Sequence, residues 1–115
     1  MEKVTNLEYL REFSNNDITF MKDMINIFIE TIPEDLRNIE EAWEKQDFLN
    51  LKATVHKMKP SYQFMGISDL REDILNLERL SKVGENKDEM KQLIRKITEY
   101  SILAIKELEL EIDKL

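Results

Sequence analysis

The sequence predicts an all-α protein: an up-down antiparallel four-helix bundle with a short extra helix at its N-terminus. Three observations carry that expectation. Only 2 Gly and 2 Pro occur in 115 residues, too few to punctuate a many-stranded chain, whose tight turns need such residues. Charged residues make up 36% and apolar ones 42%, the balance of a soluble helical protein. Apolar residues recur at steps of three and four along most of the chain, the period of a one-sided helix. The length fits a single domain over residues 1–115 with one packed core.

The elements follow in order. Thr5-Asn6-Leu7-Glu8 reads as a capping box opening a short helix that ends near Ser14. Asn15-Asn16-Asp17 is the next break, with Asp17 as N-cap. Met21, Ile25, Phe28, Ile32, Leu36, Ile39 and Trp43 then mark one face of a long helix. Pro33 interrupts it, and Thr31 with Glu34 offers a second capping box, so a kink or a restart is expected there. Asp47 caps the next helix, whose inward stripe is Phe48, Leu51, Val55, Met58, Tyr62 and Met65 and which stops at Gly66. Ser68 is the expected cap of the fourth helix, with Leu70, Ile74 and Leu77 inward and Gly84 beyond its end. Asn86 with Glu89 caps the last, lined by Met90, Leu93, Ile97, Tyr100, Ala104, Leu108 and Ile112. Short connections between long amphipathic helices make sequential neighbours antiparallel.

Composition removes several function classes. There is no Cys, hence no disulfide framework or thiolate metal site. One His in the whole chain cannot supply a His-rich metal centre. No apolar run reaches membrane-spanning length and no signal-peptide pattern opens the chain, so a cytoplasmic protein is expected. The net charge of −7 argues against general affinity for nucleic acid or anionic membranes. No Gly-rich phosphate loop is present. Most Asp/Glu pairs sit beside Lys and Arg on solvated helix faces.

The single histidine, His56, stands apart. At about 100° per residue it lies roughly 130° from the centre of its helix's apolar stripe and points outward or to a flank. From Phe48 to Ser68 there is no Asp or Glu, a window that composition alone would give roughly one time in a hundred. Lys52, Lys59 and Gln63 lie four before, three after and seven after it, on the same helix face. Ammonium groups there would stabilise an anionic group on the imidazole, which mid-helix backbone cannot do. Leu49, Ala53, Pro60 and Phe64 form an apolar flank that the core does not need. That flank is either a docking surface or a seat for the N-terminal helix.

The stretch His56-Lys57-Met58-Lys59-Pro60-Ser61-Tyr62-Gln63-Phe64-Met65-Gly66 resembles the signature of histidine-containing phosphotransfer (HPt) domains. That signature is a His with an apolar residue two later, Lys three later, Gly four later, a small residue five later and Gly ten later. His56, Met58, Lys59, Ser61 and Gly66 fit, as do Asp47, Leu70 and the Leu77-Glu78 pair. Pro60 departs from it, standing where the family usually has Gly, and should bend the helix just after the histidine. Val55 replaces a common Ala.

The resemblance implies a phosphoryl carrier without kinase activity of its own. Such a domain accepts a phosphoryl group on His56 from the aspartyl phosphate of a response-regulator receiver and passes it to another receiver. A hybrid sensor histidine kinase stands upstream, and Mg2+ is expected on the receiver, with no cofactor or metal on this chain. Lys59 would stabilise the phosphoryl group, and Lys52 and Gln63 would assist. The expected partner surface is Leu49, Ala53, Pro60 and Phe64 with Phe20, Met24 and Ile27, on a monomer. The alternative is a helical binding module that docks a receiver or another partner through the same face without transferring anything.

Overall fold

In a computed structural model, which describes residues 3–115, five α-helices account for most of the chain. They are α1 (Glu8–Phe13), α2 (Ile18–Glu44), α3 (Phe48–Phe64), α4 (Arg71–Val83) and α5 (Lys87–Glu111). Single 3-10 turns at Ser68–Leu70 and Ile112–Lys114 complete the fold, and no strand occurs among the described residues. Residues 1 and 2 of the expected domain lie outside the described residues. Helices α2 to α5 form a closed ring in which α2 and α4 each pack against both α3 and α5. The 27 residues of α2 would span about 40 Å at helical rise, which sets the 43 Å long axis of the molecule.

The apolar stripes meet in one core. Met21, Ile25, Phe28, Ile32 and Ile39 of α2 are buried against Leu51, Val55, Met58 and Tyr62 of α3, Ile74 and Leu77 of α4, and Met90, Ile97, Ala104 and Leu108 of α5. Burying each of the larger side chains is worth about 1.5–3 kcal/mol. Phe48, Trp43 and Ile112, at the ends of their stripes, and Tyr100, in the middle of its own, reach this core only part-buried. One polar contact crosses the interior: the Tyr62 hydroxyl meets Ser101 Oγ at 2.5 Å. Burial pushes the Tyr62 phenol well above its ordinary value, so it stays protonated.

Helix ends follow the sequence signals in part. Asp17 and Asp47 accept from the backbone N–H groups of Phe20 and Asn50 at 3.1 Å each, as N-caps do. Gly84 takes the left-handed conformation that closes α4. Four expected caps form differently. Thr5 does not cap α1: its N–H and hydroxyl donate to the Glu107 carboxylate of α5 at 2.9 and 2.8 Å. That tertiary bond outcompetes the local box. Helix α2 neither stops nor restarts at Pro33, and the Thr31 hydroxyl donates back to the Ile27 carbonyl at 2.7 Å. The continuous apolar face on both sides of the proline outweighs one missing bond. The Ser68 side chain caps nothing, because the chain enters α4 through a 3-10 turn. Asn86 occupies its N-cap position, but its amide donates to the Glu89 side chain instead of accepting from backbone.

Gly66 is fixed by the N-terminal segment. It follows α3 at φ +64°, and a Cβ there would stand 2.0 Å from the Asn6 carbonyl oxygen. Asn6 N–H donates to the Met65 carbonyl at 3.0 Å, so any side chain at 66 would expel this segment. Glu107 holds the same segment from the other side through Val4 and Thr5.

Candidate functional site

Helix α3 presents His56 because its inward stripe, Leu51, Val55, Met58 and Tyr62, is spoken for by the core. The imidazole side chain is 69% exposed. Helix α3 runs unbroken past Pro60 to Phe64, so the expected bend does not end the helix. Pro60 has no N–H to offer the His56 carbonyl. Both residues are exposed.

The acid-free stretch around His56 does not leave the histidine acid-free. Glu78 of α4 reaches across the α3–α4 seam and binds two groups at once. Its Oε2 meets His56 Nδ1 at 2.5 Å, and its Oε1 accepts from Lys59 Nζ at 2.8 Å. The Lys59 hydrogen bond, and after it the His56 contact, hold the Glu78 carboxyl below its ordinary pKa against the opposing effect of partial burial. An ionised carboxylate can only accept, which assigns the imidazole proton to Nδ1. In the neutral ring the lone pair then sits on Nε2, the outer nitrogen. Sequence patterning within α3 could not reveal Glu78, since the carboxylate belongs to another helix. Hairpin symmetry could have: His56 and Glu78 each lie eleven residues from Ile67, the centre of the α3–α4 connection.

Below His56 the seam opens into a groove of about 550 Å³. Lys59, Pro60 and Gln63 line one wall, and Ile74, Leu75 and Arg71 the other. Gln63 thus shares the groove with His56 and Lys59. Lys52 does not line it; it is half-buried one turn before the histidine. Lys57 turns to the opposite flank and donates to Asp35 of α2 at 2.9 Å.

The apolar flank divides. Leu49 is 83% exposed, and Ala53 and Pro60 are exposed as well. Phe64 is instead seated under α1, with Phe13 at 4.9 Å and Tyr9 at 5.6 Å between ring centroids. Phe13 in turn meets Phe20 at 6.1 Å. Phe20 and Ile27 stay exposed and Met24 is half-buried. The N-terminal helix therefore covers Phe64 and leaves Leu49, Ala53 and Pro60 open. Tyr9 and Phe13, which the periodicity of longer helices did not single out, extend the aromatic surface; their spacing of four on one helix was the available signal.

A scan of protein-family models matches residues 23–115 to the Hpt domain. The chain belongs to the Hpt domain family. The match takes in nearly all of α2 and every later helix, while α1 precedes it. Searches of curated proteins and of solved structures returned no match. Hpt domains are phosphocarrier modules rather than kinases, and membership gives this chain a phosphotransfer role in two-component signalling. No helix among the described residues is long and apolar enough to cross a membrane.

Proposed function

We propose that His56 is the phosphorylated residue, and that the chain is a relay intermediate receiving the group from one receiver domain and passing it to another. The observation that carries this reading is the Glu78 bridge. With Nδ1–H held by Glu78, the Nε2 lone pair points to solvent and can attack an aspartyl phosphate in line. The N–P bond forms as the aspartyl O–P bond breaks, and the carboxylate leaves with the bonding pair. The ring keeps its Nδ1 proton and gains positive charge, which Glu78 offsets at 2.5 Å. The reverse transfer to a second receiver uses the same atoms.

Lys59 supplies charge to both ends of this arrangement. An ammonium has three N–H donors, so it can keep Glu78 ionised with one and meet a phosphoryl oxygen with another. Gln63 offers an amide N–H from the next turn, and Lys52 adds positive potential from the turn before. The docking surface in this proposal is the exposed strip of Leu49, Ala53 and Pro60, with Phe64 contributing through the α1 aromatics and with Phe20, Met24 and Ile27 at its border. A hybrid sensor kinase is the proposed ultimate source of the phosphoryl group, and Mg2+ is proposed to reside in the receiver. The chain would act as a carrier, with no kinase activity.

The test is direct. A receiver domain charged with a small phosphodonor is incubated with the wild type and with His56→Gln. An acid-labile, base-stable label should appear on the wild type and be absent from the variant, at unchanged helicity. Absence of label from every receiver of the source organism sinks the proposal. Equal receiver binding by both proteins, with no label on either, replaces it by the non-transferring docking module.

A further inference from the structure

The α3–α4 hairpin extends the reactive pair downward as a ladder about Ile67. One rung below His56 and Glu78 stand Lys59 and Leu75, each eight residues from Ile67; the last rung is Gln63 and Arg71, each four residues away. All but Glu78 line the same groove as His56. Arg71 and Leu75 are one turn apart on α4 and so share a face, opposite Pro60 and Gln63, one turn apart on α3.

Two features of this groove are unexplained by the fold. Leu75 is 41% exposed, an apolar side chain spent on a wall that the core does not use. Arg71 is exposed and, like several other surface cations such as Arg95, makes no ion pair among the described residues; what distinguishes it is its place on the wall of this groove. Its acidic neighbour Asp73 is turned to α5, paired with Lys96 at 2.8 Å. The Arg71 guanidinium is the one lysine or arginine charge lining the groove that no carboxylate among the described residues holds, since Lys59 is paired with Glu78. It lies in a groove that begins at the reactive histidine.

We infer that Arg71 is a specificity-determining docking residue. It pairs with a carboxylate on the receiver that exchanges phosphoryl groups with His56, while an apolar side chain of the same receiver segment seats between Pro60 and Leu75. A guanidinium suits this task because its planar fork can grip a carboxylate bidentately. The inference rests on the phosphotransfer reading, since the groove matters only to a protein that also reaches His56. Arg71 touches no reacting atom, so its effect belongs in encounter and affinity and not in the chemical step.

The experiment measures transfer from the charged receiver to wild type, Arg71→Glu, Arg71→Lys and, as an equal charge change on the exposed surface of α5, Arg95→Glu. Arg71→Glu should raise KM about tenfold and leave kcat within about twofold. The KM gap to wild type should narrow with added salt. Arg71→Lys should recover much of the loss, and Arg95→Glu should behave as wild type. Unchanged KM in Arg71→Glu overturns the inference while leaving phosphotransfer intact, and so does an equal rise in Arg95→Glu, which would make the effect one of net charge. A loss confined to kcat, or a loss of helicity, also overturns it. If no receiver labels the wild type, the functional reading fails and this inference fails with it.

Discussion

Lys57 and Lys59 are two residues apart on one helix, and each is held by a carboxylate from a neighbouring helix, yet the two flanks of α3 do different things. On the α2 flank, Lys57 donates to Asp35, whose side chain is only 5% exposed and which meets no other charged partner among the described residues. On the α4 flank, Lys59 donates to Glu78, which also holds His56. The first pair closes on itself and fastens α3 to α2. The second leaves one member, the imidazole, 69% exposed, with Nδ1 rather than Nε2 engaged by the carboxylate. A carboxylate with one partner is a clamp; a carboxylate shared between a cation and an imidazole fixes how the ring is presented, as the proposed role of His56 requires.

The contrast breaks most visibly at Glu78. In the proposed transfer, Glu78→Gln removes the charge that would fix the Nδ1 proton and offset a phosphorylated ring. Transfer to His56 should slow on the order of tenfold to a hundredfold, read as the single-turnover rate of labelling, with little change in melting temperature. A rate equal to wild type would strip Glu78 of its positioning role. The mirror experiment is Lys57→Met, which keeps the aliphatic stem and leaves Asp35 buried without a partner. That should cost about 1–3 kcal/mol, a drop of roughly 5–10 °C in melting temperature, while labelling of His56 proceeds at the wild-type rate. A variant with unaltered stability and slowed transfer would invert the assignment of the two flanks.

The difference between the flanks also marks what could be read in the sequence. Periodicity places His56 outside the core because it is a local property of α3, and the caps at Asp17 and Asp47 are local in the same sense. Thr5 and Ser68 look equally local and are not. Thr5 has a stronger partner in Glu107 of α5, and Ser68 opens a 3-10 turn that moves the helix start to Arg71. An acid-free α3 is a true statement about one helix and a misleading one about its surroundings, because the carboxylates that matter arrive from α2 and α4. Phe64 makes the same point on the apolar side. Its spacing shows that it leaves the core stripe, but only the packing of Tyr9 and Phe13 decides that α1 covers it.

The smallest expected effect, and the finest separation of the two flanks, is in pH. The Glu78 carboxyl is depressed by the Lys59 hydrogen bond and then by His56. A depressed carboxyl stabilises the fold above its ordinary, unfolded value, and the contribution is lost as pH falls through the depressed one. The Lys57 ammonium is raised by the hydrogen bond and charge of Asp35. A raised ammonium stabilises below its ordinary, unfolded value, and the contribution is lost as pH rises through the raised one. The stability gap between wild type and Glu78→Gln should therefore close on the acid side of the ordinary carboxylate range. The gap between wild type and Lys57→Met should close on the alkaline side of the ordinary lysine range. Melting temperatures of the three proteins across both ranges check this. A Glu78→Gln gap that stays constant into acid would mean that the carboxylate's charge does not stabilise the hairpin, and that the bridge serves only to aim the histidine.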